Sequence, residues 1–152
     1  MGVNHARVNW ELPDVELVGV ADFNHETADR VASKYSTQAY YNYQTLLDET
    51  QPDAVTLAVP TIYHHQIALE IIERGIPLLI EKPIAFTIEE GQEIIQAAKE
   101  KNIKLMIGHI ERFNPAITTV KQLIADGALG RIFQMDAHQQ GPLPARIAAV
   151  GV

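Results

Sequence analysis

Asp22 closes a short β-branched run, Val15 to Ala21, and lies 20 residues beyond Gly2. A carboxylate at a strand end can accept hydrogen bonds from ribose hydroxyls and repels a 2'-phosphate, so this placement suits NAD, with NADP the poorer fit. The same Asp22 could instead cap the turn that follows, and spacing alone leaves the two readings level. If Gly2 is the last glycine of a G-x-G-x-x-G loop, the first two glycines and the strand before them are missing, and with them the turn whose backbone amides would cradle a pyrophosphate. Standing alone, Gly2 is a glycine and nothing more. His64 and His65 are adjacent and so leave a helix on different sides; with no cysteine and no closely spaced carboxylate they complete no metal ligand set. There is no nucleophile elbow and no P-loop lysine motif, which leaves hydrolase and kinase chemistry without support.

The elements that must carry these residues follow from local patterning. Asn24 caps a helix over His25 to Tyr35, on which Ala28, Val31, Ala32 and Tyr35 fall at helical spacing. A short strand near Ala39 and Tyr40 comes next, then a brief helix around Leu46 and Leu47 that Pro52 ends. Ala54 to Val59 is a nearly unbroken apolar strand. The alternation continues with a helix from about Tyr63 to Arg74 stopped by Gly75, a buried strand from Pro77 to Ile80, and a helix from Ile88 to Lys101 opened by the capping-box pair Thr87 and Glu90. A strand at Lys104 to Ile107, a helix opened by Pro115 and closed by Gly127, and a strand over Arg131 to Ala137 complete the series. Strands separated by helices with short connections predict an α/β fold, a Rossmann-like doubly wound parallel sheet. No strand precedes the helix that opens at Met1-Gly2, so the expected sheet lacks the first strand and the glycine-rich loop. At the other end the apolar Val150-Gly151-Val152 leads nowhere, and both ends read as cuts.

Composition narrows the partners. Twelve Lys+Arg against 19 Asp+Glu give a formal charge of -7, which disfavours nucleic acid. The chain has no cysteine, excluding disulfides and thiolate metal sites. No apolar run approaches the roughly 20 residues of a membrane span, and no apolar leader opens the chain, so a cytoplasmic protein without a membrane partner is expected.

At Glu81-Lys82-Pro83 the sequence resembles the Gfo/Idh/MocA family of oxidoreductases. Val20-Ala21-Asp22, the segment Ala58-Val59-Pro60-Thr61 with His64, and Gly108-His109 with Arg112-Phe113-Asn114-Pro115 resemble that family's signatures in order and spacing, over essentially the whole chain. The resemblance implies a dinucleotide-binding domain, residues 1–130 here and incomplete, followed by the start of an open-faced sheet domain at 131–152 that would supply much of the substrate site. It implies that Lys82 stands at the nicotinamide end and assists proton transfer, that Glu81 shapes its loop, and that Pro60, Thr61 and His64 line the cofactor cleft. His109 would meet substrate or nicotinamide, and Arg112 would hold an anionic or polyhydroxyl group. The family's downstream Asp and His pair lies beyond this chain, which implies that the isolated chain is inactive.

The chemistry fits a lysine. Oxidising a secondary alcohol sends a hydride to the nicotinamide while a base takes the hydroxyl proton, and a lysine beside a cationic ring in a closed cleft can take it near neutral pH. Apart from the resemblance, Lys82 would be an ordinary surface lysine. Asn114 reads as a helix cap with Phe113 as its hydrophobic staple, and a solvated Arg112 is the bland alternative to a binding one. Gln140 to Arg146 resembles the branch acting on nucleotide-linked amino sugars, including UDP-N-acetylglucosamine 3-dehydrogenases, in which Arg146 would meet a diphosphate; a Pro-rich connection explains the same residues. The expected function is therefore NAD-dependent hydride transfer on a sugar, inositol or nucleotide-linked sugar. The alternative is a non-catalytic dinucleotide-binding or oligomer-forming chain, because a sheet missing its central strand exposes edges that a second copy could pair with.

Overall fold

A computed structural model describes residues 1–138. The chain forms two compact units, the first Met1–His109 and the second beginning at Ile110. In the first, helix α1 (Gly2–Glu11) leads to strand β1 (Val20–Ala21), helix α2 (His25–Lys34), β2 (Ala39–Tyr40), α3 (Tyr43–Thr50), β3 (Val55–Leu57), α4 (His64–Glu73), β4 (Leu78–Ile80), α5 (Ile88–Glu100) and β5 (Leu105–Ile107). Side-chain caps open several helices, those at Asn24 and at Thr87 with Glu90 where the sequence predicts them and that at Asn42 without such a prediction. The Asn24 side chain accepts from the Thr27 amide, Asn42 accepts from Gln44 and Thr45, and Thr87 and Glu90 form the reciprocal capping box. Gly75 takes a φ of +79° just past α4, the left-handed conformation that a helix exit favours in glycine.

All strand pairs are parallel. β1 pairs with β2 in a two-stranded sheet, and β3, β4 and β5 pair in that order in a three-stranded one. β1 is shorter than the expected Val15 to Ala21, because pairing is confined to Val20 and Ala21 opposite Ala39 and Tyr40, with the Val20 and Asp22 amides donating to the Gln38 and Tyr40 carbonyls. Between β1 and β3 no ladder forms among the described residues. The larger core lies under the second sheet, where Ile80 and Leu78 meet Ala68, Ile71 and Ile72 of α4 and Ile94 and Ala98 of α5. Truncating any of these buried isoleucines to alanine would cost about 2–5 kcal/mol. A smaller cluster fixes α1: buried Ala6, with Val3, packs against Val31, Tyr35, Leu17 and Val20.

The second unit holds α6 (Pro115–Ala125), where the Asn114 side chain accepts from the Ala116 amide and the exit uses Gly127 at a φ of +69°. Arg131 to Ala137, read as a strand from its β-forming residues, is not one: a strand exists through its ladder, and no partner lies alongside among the described residues. Gln140 to Arg146 and Val150 to Val152 lie outside the described residues.

Candidate functional site

Strand register gathers most of the chemically promising residues of the first unit at one edge. Leu57, Ile80 and Ile107 are partners across β3, β4 and β5, so the residues just beyond them leave the carboxyl ends of three neighbouring parallel strands. The ladder continues one step further: the Glu81 amide donates to the Leu57 carbonyl at 2.9 Å, and the Gly108 amide to that of Ile80 at 2.8 Å. Glu81-Lys82 and Gly108-His109 therefore exit side by side. Pro60 and Thr61 follow β3, and Asp22 follows β1. This edge is where an open parallel sheet binds ligands.

Glu81 is buried, only 5% exposed, and both its oxygens are engaged. His5 Nε2 lies 2.8 Å from Oε1, and the Lys82 main-chain amide donates to Oε2 at 3.1 Å. Gly108 makes room for this carboxylate, since a Cβ there would stand 3.3 Å from Glu81 Cδ and Oε1. Burial pushes the Glu81 carboxyl up, but the hydrogen bonds from His5 and the Lys82 amide, with the charges of both residues, outweigh it and hold the group below its ordinary value. Lys82 itself is exposed, and its ammonium makes no ion pair among the described residues. His109 is exposed as well, its amide donating to the Ile107 carbonyl at 2.7 Å.

His64, expected along the cofactor cleft, is 1% exposed. Its Nδ1 lies 2.9 Å from the Pro83 carbonyl oxygen and its Nε2 3.0 Å from that of Val59. The ring is committed to the main chain, tying the residues before Pro60 to the loop that carries Lys82. Pro60 is exposed and Thr61 half-buried, and the Pro60 carbonyl accepts from Tyr63 at 2.9 Å in a short 3-10 turn.

Asp22 follows β1 with one oxygen engaged and one free among the described residues. Its Oδ1 accepts from the Asn24 amide at 2.9 Å, so it does shape the following turn, while Oδ2 has no protein partner among the described residues and can still accept from a hydroxyl. Gly2 is exposed at the start of α1 with open space around it. These residues fit a dinucleotide: an acceptor-only carboxylate with an oxygen to spare at one strand end, and an exposed lysine and histidine at two others. Arg112 belongs to the second unit, exposed in a 3-10 turn at Ile110–Phe113. The residue that sequence reasoning missed is His5. Its partner lies 76 positions away, and the sole local signal was its place in the first turns of the opening helix.

Parallel strands with intervening helices, and polar residues gathered at the strand ends, define a Rossmann-type nucleotide-binding domain. Residues 1–109 match the family described as "Oxidoreductase family, NAD-binding Rossmann fold", GFO_IDH_MocA, and the chain belongs to that family, as its Glu-Lys-Pro segment had indicated. The chain is similar to a UDP-N-acetylglucosamine 3-dehydrogenase of Acidithiobacillus ferrooxidans, 34% identical over 90% of this chain and 42% of the relative. It is also similar to an inositol 2-dehydrogenase of Saccharopolyspora erythraea, 32% identical over 95% of this chain and 44% of the relative. Among solved structures, the WlbA dehydrogenase of Bordetella pertussis in complex with NADH and UDP-GlcNAcA superposes with a TM-score of 0.81, at 28% identity over 87% of this chain and 41% of that one. The chain thus spans less than half the length of these relatives.

Proposed function

We propose that this sequence carries the cofactor side of an NAD-dependent dehydrogenase acting on a secondary alcohol of a sugar, an inositol or a nucleotide-linked sugar. The observation that carries the reading is the exit of Glu81-Lys82 and Gly108-His109 from neighbouring strands at the ligand-binding edge. Asp22 accepts from the adenosine ribose, which favours NAD over NADP. Pro60, Thr61 and Glu81 shape the cleft, His64 supports it through the Val59 and Pro83 carbonyls, and Gly2 opens the helix nearest the pyrophosphate. NAD, when bound, takes the hydride from the alcohol carbon. Lys82 accepts the hydroxyl proton, His109 contacts the substrate side, and Arg112 holds an anionic or polyhydroxyl group. The relatives' names favour the nucleotide-sugar and inositol classes. A dinucleotide-binding domain over residues 1–130, followed by the start of a substrate domain at 131–152, is part of this proposal; the positive φ of Gly127 and Gly130 after α6 is compatible with it. No helix among the described residues is long and apolar enough to cross a membrane, and the cysteine-free sequence suits a cytoplasmic setting.

The test is kinetic. In the longest gene product containing these residues, Lys82→Ala should lower kcat on UDP-N-acetylglucosamine or myo-inositol by about 10²–10⁴-fold; unchanged kcat would remove Lys82 from the reaction. Assayed alone, the 152 residues are expected to give no turnover, since the relatives are more than twice as long, and measurable NAD-linked oxidation would overturn that expectation. A second reading, a non-catalytic dinucleotide-binding chain that self-associates, draws on the strand edges of β1 and β3 that have no ladder between them among the described residues. Light scattering that finds a dimer, together with NADH binding but no turnover from any longer product, would favour it.

A further inference from the structure

The geometry points to His5 as a positioning residue that acts through Glu81 to hold Lys82 in place and keep its ammonium out of an ion pair. This inference rests on the reading of Lys82 given above. α1 is anchored to the first sheet, with Ala6 buried against Val31 and Tyr35 and with Val3 beside them. Glu81 sits at the end of the central strand of the second sheet. The 2.8 Å contact from His5 Nε2 to Glu81 Oε1 therefore joins two halves of the first unit that share no strand ladder.

The carboxylate is fixed from both sides. Oε1 takes the imidazole donor, Oε2 takes the amide of Lys82, and Gly108 leaves the room that a Cβ would take from the group. A buried carboxylate must find donors, and its strongest candidate next door is the Lys82 ammonium. With both oxygens engaged elsewhere, that ammonium stays exposed at the strand end. Removing the imidazole donor frees Oε1. The freed oxygen then turns to the nearest cation, and Lys82 becomes the partner of Glu81, no longer available as an acceptor of protons. Neither Lys82 nor its loop needs to unfold for this to happen.

The experiment labels amines of the 152-residue chain with trace acetic anhydride and reads Lys82 against Lys99 and Lys104 by peptide mass spectrometry. Circular dichroism is recorded first for each variant. In His5→Leu the relative labelling of Lys82 should fall by about threefold or more, the size expected for coupling between groups in contact. His5→Gln, which keeps a donor at the same reach, should bring it back to within about twofold of the original. The double variant His5→Leu with Glu81→Gln has no carboxylate left to capture the ammonium and should also recover labelling. Equal Lys82 labelling in all variants, or a double variant no better than His5→Leu, would overturn the inference. Should His5→Leu fail to fold, His5→Ala takes its place: Lys82 labelling should fall in it and recover in His5→Ala with Glu81→Gln, and labelling equal to the parent in both would overturn the inference. A labelling pattern as expected, with Lys82→Ala leaving turnover of the longer product intact, would instead retire the functional reading while the positioning device stands.

Discussion

His64 Nδ1 stands 2.9 Å from the carbonyl oxygen of Pro83, and the opposite nitrogen of the same ring stands 3.0 Å from that of Val59. Both neighbours are acceptors. A neutral imidazole has one N-H and serves one of them, whereas the imidazolium serves both. The ring thereby straps the end of β3 to the loop that bears Lys82. His64→Leu removes the donor that the Val59 and Pro83 carbonyls share and leaves an apolar side chain against them, and the urea midpoint should drop by the equivalent of about 1–3 kcal/mol. A midpoint unchanged from the parent would mean the strap contributes nothing.

Glu81 makes stability depend on acid. Its buried carboxyl would be raised by desolvation alone, but His5 and the Lys82 amide bring it below the ordinary value of 4.5. A carboxyl lowered in the folded state contributes stability that is complete above its unfolded value and disappears as pH falls through the folded one. Urea unfolding from about pH 6 to 3 should therefore show the parent losing its advantage over Glu81→Gln as acid is added. A gap that stays constant over that range would contradict the assignment.

Gly108 is placed against the same carboxylate. A methyl group there would stand 3.3 Å from Glu81 Cδ, tighter than ordinary contact, with the Gly108 amide bonded to the Ile80 carbonyl of β4. Gly108→Ala should destabilise by about 1–3 kcal/mol, as overpacking does. Gly108→Ala in a Glu81→Ala background should cost much less, and an equal cost in both backgrounds would place the strain elsewhere.

Tyr43 offers an alkaline counterpart. Burial first, then the 2.6 Å hydrogen bond to Glu70 and its charge, push the phenol up to about 12, with Arg74 opposing. A group raised in the folded state contributes stability fully present below its ordinary 10.0 and lost as pH climbs through the folded value. A tyrosinate absorbance step near 12 should vanish in Tyr43→Phe, with about 1 kcal/mol of stability lost at neutral pH. A step retained in the variant belongs to another tyrosine.

What the sequence made legible was local. Asn24, Thr87 with Glu90, and Gly75 mark helix ends through groups only a few residues apart, and the helices fall where those signals put them. Strand extents were harder, because a ladder depends on a distant partner. Val15 to Val18 and Arg131 to Ala137 have the residues of strands and lack the pairing among the described residues. At the site, Glu81, Lys82 and His109 were reached through a family resemblance, and register explains why they stand together. The link from His5 to Glu81 left in the sequence only the place of His5 early in the opening helix, since the contact itself arises from how α1 packs on α2 and β1.

The central claim is that Asp22 ends its strand as the acceptor of an NAD ribose. Calorimetric titration of NADH and NADPH into the chain and into Asp22→Ala tests it most directly. The account predicts tighter binding of NADH than of NADPH, and in Asp22→Ala a loss of about tenfold in NADH affinity that narrows the preference. Binding of neither nucleotide, or the same NADH affinity before and after the substitution, would contradict it.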